Sequence, residues 1–110
     1  MKSNGFNSLL FVLTVGFALN TCSSPKRTVP KVYTVEISQM KFQPEVLKIH
    51  QKDTVIFINH DIVAHDVTEI NKAWKSPVLN TGDSWKIVMQ KSANYFCSIH
   101  LVMKGKIIVE

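Results

Sequence analysis

Three side chains that can bind metal ions lie within seven residues of one another near the C-terminus: Cys97, His100 and Met103. A thiolate and a thioether are soft ligands that favour Cu(I), whereas an imidazole also suits Cu(II) and zinc. One more nitrogen donor would complete a small metal site, and His65, 32 residues before the cysteine, is the candidate. A lone cysteine is also commonly a small buried hydrophobe, and a methionine beside a strand commonly packs in a core. Metal binding and simple packing both stay open at this point.

The types of donor favour copper over zinc. Two imidazoles and one thiolate, with a weakly held thioether above them, form a trigonal site that suits copper. Such a compromise geometry lets the metal change oxidation state with little movement, and little movement means fast electron transfer. Structural zinc sites instead use four cysteine or histidine ligands in a tetrahedral array. We therefore favour copper as the ion that His65, Cys97, His100 and Met103 would hold.

The first 21 residues have the pattern of an export signal. Lys2 supplies a positive charge, and an apolar run of eleven residues follows from Leu9 to Leu19. Such a run fits the central region of a signal peptide, and it is too short for a helix that spans about 30 Å of hydrocarbon. The sequence around Cys22 resembles a bacterial lipobox, in which cleavage precedes a lipid-bearing cysteine. We predict a lipoprotein signal peptide at 1–21; an ordinary secretory peptide cut nearby is the alternative.

Export would place the protein in the periplasm or at the cell surface, where we expect a membrane anchor through lipid at Cys22. These compartments are oxidising, so a thiol without a partner is open to unwanted disulfide formation. If Cys22 carries lipid, Cys97 has no disulfide partner within the exported chain. Coordination of its thiolate by a metal ion would remove that hazard, which favours the metal site over simple packing.

Composition excludes several other classes of protein. The chain has 110 residues, of which 45% are hydrophobic, so it fits one folded domain rather than a disordered chain. It contains no motif of nucleotide-binding, zinc-protease or serine-hydrolase proteins. The 13 Lys and Arg residues outnumber the 8 Asp and Glu residues but are spread along the chain, so we expect no nucleic-acid binding. A basic surface could instead steer an acidic redox partner. We expect a monomer.

Short strands separated by turn residues dominate the rest of the chain. Residues 22–31 are polar and contain two prolines, which predicts a flexible tether, and residues 32–110 form the predicted domain. β-branched and aromatic residues indicate about seven strands: Val32–Ile37, Val46–Ile49, Thr54–Asn59, Ala64–Ile70, Ser84–Met89, Asn94–Cys97 and Lys106–Glu110. The pattern predicts an all-β fold, a small antiparallel Greek-key sandwich or barrel. A short helical turn is predicted at 71–75.

The segment from Tyr95 to Val109 (YFCSIHLVMKGKIIV) resembles the C-terminal ligand loop and last strand of the plastocyanin and azurin group, the cupredoxins. The two-residue gaps between its cysteine, histidine and methionine are similar to those of amicyanins. Further stretches that resemble the family are Phe42–Pro44, Lys48–Asn59 and Gly82–Trp85. The likeness covers roughly residues 32–110 and implies a cupredoxin-like fold.

The resemblance implies a mononuclear type 1 copper protein that carries single electrons and is not itself an enzyme. It implies His65, Cys97 and His100 as ligands in one plane, with Met103 as the axial ligand. The partners would be redox proteins such as a c-type cytochrome or a dehydrogenase.

The chain departs from the family pattern at several positions. Lys52 stands where a glycine is common, and Leu101 and Val102 replace a sequence that often contains proline. Asp66 stands where an asparagine commonly braces the two ligand loops. A carboxylate there would lower the reduction potential or need a compensating donor.

Two other functions stay open. A copper carrier that delivers the ion would need the same four residues, and only the rate at which it surrenders copper would distinguish it from an electron carrier. A metal-free structural sandwich would predict that Cys97→Ser changes stability alone. Among the neighbouring side chains, we expect His60 to lie exposed in a turn rather than to bind metal. We expect Leu101 and Val102 to form an exposed docking patch beside His100.

Overall fold

A computed structural model describes residues 14–18 and 29–110. The predicted signal peptide at 1–21, apart from 14–18, and Cys22, the predicted site of lipid attachment, lie outside the described residues. Residues 14–18 are exposed and form no regular element, and the predicted tether is described only from Val29 onward. Within these described parts of the chain, no helix has the length and apolar character needed to cross a membrane.

Six of the predicted strands match the structure to within two residues at each end, and the described residues form eight strands in all. They are β1 (Val32–Ser38), β2 (Lys41–Gln43), β3 (Val46–Ile49), β4 (Thr54–Asn59), β5 (Thr68–Glu69), β6 (Ser84–Val88), β7 (Ala93–Phe96) and β8 (Lys104–Val109). The exception is the predicted strand Ala64–Ile70, of which only β5 is a strand. Strand β2 was not predicted. It follows a tight turn in which Gln39 and Met40 take positive φ angles of 53° and 59°. The turn contains no glycine, the residue that usually indicates such a conformation in a sequence.

Two four-stranded sheets form the sandwich, in the orders β2-β1-β4-β6 and β3-β8-β7-β5. This confirms the predicted all-β sandwich. The expectation of purely antiparallel pairing is wrong, because β1 pairs with β4 and β3 pairs with β8 in parallel. Hydrophobic alternation indicates which face of a strand is buried, but it carries no information on the direction of the neighbouring strand.

The helical turn predicted at 71–75 is not a helix. The side chain of Glu69 organises a tight turn instead, since its Oε2 accepts hydrogen bonds from the backbone N–H groups of Asn71 (2.7 Å) and Ala73 (3.0 Å). The N–H of Glu69 donates to the carbonyl oxygen of Trp74, 2.9 Å away. The chain therefore reverses and runs back along β5, which brings Lys75 opposite Thr68.

The core lies between the sheets and ends beneath the ligand residues. Phe42, Phe57 and Tyr95 pack edge to face, with ring centroids 4.9 Å (Phe42–Tyr95) and 5.3 Å (Phe57–Tyr95) apart. Tyr95 pairs in register with Gly105 on β8, and a Cβ atom at position 105 would overlap the tyrosine ring. Burial and then the negative charge of Glu45 raise the pKa of Tyr95. The bulky ring thus fixes the spacing of β7 and β8 just before the chain reaches Cys97.

Candidate metal centre

The side chains of His65, Cys97 and His100 meet with their donor atoms facing one another. Cys97 Sγ lies 3.7 Å from His65 Nδ1 and 4.0 Å from His100 Nδ1, and the two ring nitrogens are 3.2 Å apart. The centre of this triangle lies about 2.1 Å from each donor, close to metal–nitrogen and metal–sulfur bond lengths of about 2.0–2.3 Å. Among residues 14–18 and 29–110, this is the one group of three or more His, Cys, Asp or Glu side chains with metal-binding spacing. The arrangement fits one metal ion.

The four predicted ligand residues differ in burial. His65, Cys97 and Met103 are buried, whereas His100 is partly exposed. Within the ligand loop, which we define as residues 97–103, the N–H of Met103 donates to the carbonyl oxygen of His100 (3.0 Å). The N–H of Cys97 donates to the carbonyl oxygen of Met103 (3.1 Å). These two bonds close the loop and fix the backbone of the methionine beside both other ligand residues of the loop.

Buried hydrogen bonds hold the first-histidine segment, which we define as residues 59–68. The amide group of Asn59, at the end of β4, donates to a carbonyl oxygen inside the segment (2.9 Å) and to that of Leu79 (2.8 Å). Its Oδ1 accepts from the N–H of Asp61 (2.9 Å). His65 and Leu79 exchange both backbone hydrogen bonds, at 3.0 and 2.7 Å. The segment is therefore tied both to itself and to the neighbouring chain.

The carboxylate of Asp61 orients the ring of His65. Asp61 Oδ2 lies 2.8 Å from His65 Nε2, and because a carboxylate only accepts, the ring donates from Nε2 and leaves Nδ1 facing Cys97. The N–H groups of Gln39 (2.7 Å) and Met40 (3.0 Å) donate to the same carboxylate. Partial burial alone would raise the pKa of Asp61, but hydrogen bonds from the Met40 amide and the His65 ring, among others, outweigh it and lower the pKa from 3.8.

Asp66 joins the first-histidine segment to the ligand loop. Its N–H donates to Cys97 Sγ, 3.4 Å away. Ser98 donates to its buried carboxylate twice, from the N–H to Oδ1 (2.7 Å) and from the hydroxyl to Oδ2. The Thr68 hydroxyl also donates to Oδ1 (3.0 Å). We call these three residues, Asp66, Thr68 and Ser98, the Asp66 clasp. The bracing position therefore keeps its role with a carboxylate, and the compensating donors that the sequence required are present.

Sequence reasoning missed three of the supporting residues: Asn59, Asp61 and Ser98. A signal for Asn59 existed, since β4 buries every second side chain and the asparagine occupies an inward position. Asp61 and Ser98 lie in turns and gave no signal, because Asp61 receives the N–H groups of residues more than twenty positions earlier and Ser98 bonds to Asp66 on another loop. His60 is exposed, as expected, and its Nε2 lies 3.8 Å from Glu36 Oε1 rather than near the triangle.

A family profile described as the cupredoxin-like domain matches residues 9–109 of the chain. The chain belongs to the cupredoxin-like family. Amicyanin of Paracoccus denitrificans is 28% identical to this cupredoxin over an alignment of 83 positions, which covers 69% of this chain and 63% of that protein. The chain thus spans less than two thirds of that relative. This cupredoxin is also similar to proteins whose structures have been solved.

One solved structure, the reduced Cu(I) form of an amicyanin variant, is 27% identical with a TM-score of 0.68, and the match covers 72% of this chain and 82% of that one. The Cu-containing nitrite reductase of Thermus scotoductus is 32% identical with a TM-score of 0.66, and the match covers 74% of this chain but 22% of that one. Together with the donor set of one sulfur and two nitrogens, family membership confirms copper as the predicted cofactor of this cupredoxin.

Proposed function

We propose that this cupredoxin carries single electrons through one copper ion, which His65, Cys97, His100 and Met103 would hold. The observation that carries the proposal is the triangle of one sulfur and two nitrogen atoms with edges of 3.2, 3.7 and 4.0 Å. Two imidazoles and a thiolate with a weak axial thioether are the ligands of copper sites that transfer electrons. Donors fixed by the surrounding protein rearrange little between oxidation states.

The residues around the copper site would have separate roles in holding the ligands and in passing the electron to a partner. Copper, when bound, supplies a one-electron couple between Cu(I) and Cu(II). Asp61 holds the ring of His65, and the N–H of Asp66 stabilises the thiolate charge of Cys97. His100 is the ligand residue that is partly exposed, so the edge of its ring gives an electron the shortest path toward a partner. Buried ligands exclude water, while one exposed edge keeps the electron accessible.

Exposed apolar side chains flank His100 in the ligand loop and support partner docking. The exposed fractions are 66% for Leu101, 86% for Val102 and 46% for Ile99. An apolar patch next to the exposed ligand suits a transient complex with a redox protein such as a c-type cytochrome or a dehydrogenase. The excess of Lys and Arg over Asp and Glu would favour an acidic partner.

We propose an electron carrier rather than an enzyme, because four protein ligands leave no open position for a substrate. One similar structure belongs to a nitrite reductase, but this chain matches 22% of it. We further propose that the protein is exported to the periplasm or cell surface and anchored by lipid at Cys22. The charged start, the eleven-residue apolar run and the cysteine that follows support this location.

Visible absorption after addition of Cu(II) tests the copper site. All eight strands lie within residues 32–109, so residues 23–110 retain the fold and remove the lipid-bearing cysteine. We expect an intense blue colour from thiolate-to-copper charge transfer. Cys97→Ser should abolish the colour, and His60→Ala, which changes an exposed histidine outside the triangle, should leave it intact. A colourless mixture of native sequence and Cu(II) would refute the proposal.

Retention of the ion separates an electron carrier from a copper carrier. Three of the four ligand residues are buried, which favours slow release. We expect the protein to keep its copper through repeated cycles of reduction and reoxidation in the presence of a Cu(I) chelator. Rapid loss of copper to the chelator after the first reduction would instead indicate a carrier that delivers the ion.

A further inference from the structure

The carboxylate of Asp66 is an unusual group to bury beside a copper ligand. Its side chain is 1% exposed, and it follows His65 directly in the chain. Removing a charged carboxylate from water is costly unless hydrogen bonds and an opposite charge compensate. The hydroxyls of Thr68 and Ser98 and the N–H of Ser98 supply hydrogen bonds, but each of these groups is neutral.

Lys75 is the cation that faces this carboxylate. Its Nζ lies 3.9 Å from Asp66 Oδ2, and its side chain is 58% exposed. The backbone holds the lysine in place, since residue 75 bridges to Thr68 and the preceding turn is closed by the carboxylate of Glu69. The next residue, Ser76, donates its N–H to the carbonyl oxygen of Val67 (2.8 Å). The fold therefore fixes the backbone position from which the lysine side chain reaches the carboxylate of Asp66.

We propose that Lys75 is a positioning residue for the copper site: it pairs with the carboxylate of Asp66, keeps the clasp closed, and offsets the negative charge beside the metal. An uncompensated carboxylate would stabilise Cu(II) over Cu(I), because the attraction between opposite charges grows with the charge on the ion. The lysine then allows an aspartate to take the bracing position without a large bias toward Cu(II).

The alternative is that Lys75 is an ordinary surface lysine, since exposed ion pairs commonly contribute little. Lys72 provides a matched control. It lies in the same turn, carries the same charge, and contacts Glu69 through its backbone N–H, which donates to the carbonyl oxygen of that residue (2.8 Å). Replacing either lysine by methionine removes one positive charge from nearly the same region of the surface. A difference between the two variants therefore reports the specific partnership with Asp66.

The first experiment is a double-mutant cycle on the metal-free protein, with Lys75→Met, Asp66→Asn and both together. We expect Lys75→Met to raise the equilibrium constant for unfolding in urea about fivefold when residue 66 is the native aspartate, and less than about twofold in the Asp66→Asn background. Lys72→Met should change it less than about twofold in either background. An effect of Lys75→Met that equals that of Lys72→Met, or that persists in full beside Asp66→Asn, would overturn the pairing.

The second experiment measures the Cu(I)/Cu(II) equilibrium of the loaded protein against a redox buffer, and it rests on the copper site proposed above. We expect Lys75→Met to shift the equilibrium about threefold toward Cu(II), Asp66→Asn to shift it toward Cu(I), and Lys75→Arg to restore the native value. Equal shifts for Lys75→Met and Lys72→Met would contradict the role at the metal. A chain that shows the coupling but binds no copper would refute the proposed function and leave the pairing intact.

Discussion

The first-histidine segment and the ligand loop deliver their metal-binding side chains in opposite ways. The segment at 59–68 supplies one ring and holds it with side-chain hydrogen bonds, from Asn59 to Leu79 and from His65 to Asp61. The loop at 97–103 supplies three ligand residues and is closed by two backbone hydrogen bonds between residues of the loop itself. The position of His65 thus depends on side-chain hydrogen bonds, while the positions of the other three residues depend on spacing along the chain.

The difference teaches where the site is rigid and where it can vary. The segment is buried around His65, so a change there disturbs several hydrogen bonds at once. The loop exposes Leu101 and Val102, whose side chains can change without loss of a buried contact. The Asp66 clasp connects the rigid first-histidine segment to the more variable ligand loop and so positions the loop.

Asn59→Ala should have the largest effect on stability. It removes three hydrogen bonds, with the carbonyl oxygens of Val63 and Leu79 and with the N–H of Asp61, and their loss corresponds to about 3 kcal/mol of unfolding free energy. The matched change in the ligand loop, Ser98→Ala, removes one hydroxyl from the clasp and should cost about 1 kcal/mol. Urea unfolding of the metal-free protein measures both values. Equal losses would mean that the two halves are held equally and that the comparison fails.

Asp61→Ala should weaken copper binding more than it weakens the fold. Without the carboxylate, the ring of His65 loses the partner that sets its tautomer and orientation. Loss of such a partner typically lowers metal affinity by about 10–100-fold. Competition with a Cu(I) chelator measures the affinity, and His60→Ala, the neighbouring change outside the network, serves as the control. If Asp61→Ala and His60→Ala released copper equally easily, the orienting role of Asp61 would be refuted.

The same contrast explains how far the sequence could be interpreted. The ligand loop could be predicted from the sequence because Cys97, His100 and Met103 lie within seven residues, and their types alone indicate a soft metal. His65 needed one further inference, that two distant strand ends meet. The core strands could be predicted because runs of β-branched and aromatic residues lie between turn residues, as in β4 (TVIFIN).

The remaining features depend on partners far apart in the chain. Asp61 receives the N–H of Gln39, 22 residues away, and no local pattern indicates such a pairing. The parallel pairing of β1 with β4 likewise follows from the packing of whole sheets rather than from either strand. The false helical turn at 71–75 came from local propensity, which the carboxylate of Glu69 overrides by capping two backbone N–H groups.

Leu101→Lys should have the smallest effect on the fold and a selective effect on electron transfer. The side chain is 66% exposed, so unfolding free energy should change by less than about 0.5 kcal/mol. Two copies that exchange an electron must bring their exposed His100 edges together, and a lysine on each patch adds both a desolvation cost and mutual repulsion. We expect the rate of electron self-exchange between the Cu(I) and Cu(II) forms, measured by NMR line broadening, to fall about tenfold.

Val32→Lys gives the matched control for that change. Val32 is 63% exposed and begins β1 opposite Thr54, at the end of the sheet away from the first-histidine segment, which follows Asn59 at the other end of β4. The substitution adds the same charge to the protein but leaves the patch around His100 unchanged. Self-exchange should therefore stay within about twofold of the native rate. Equal slowing by both substitutions would show that net charge, rather than the patch beside the ligand loop, controls the encounter.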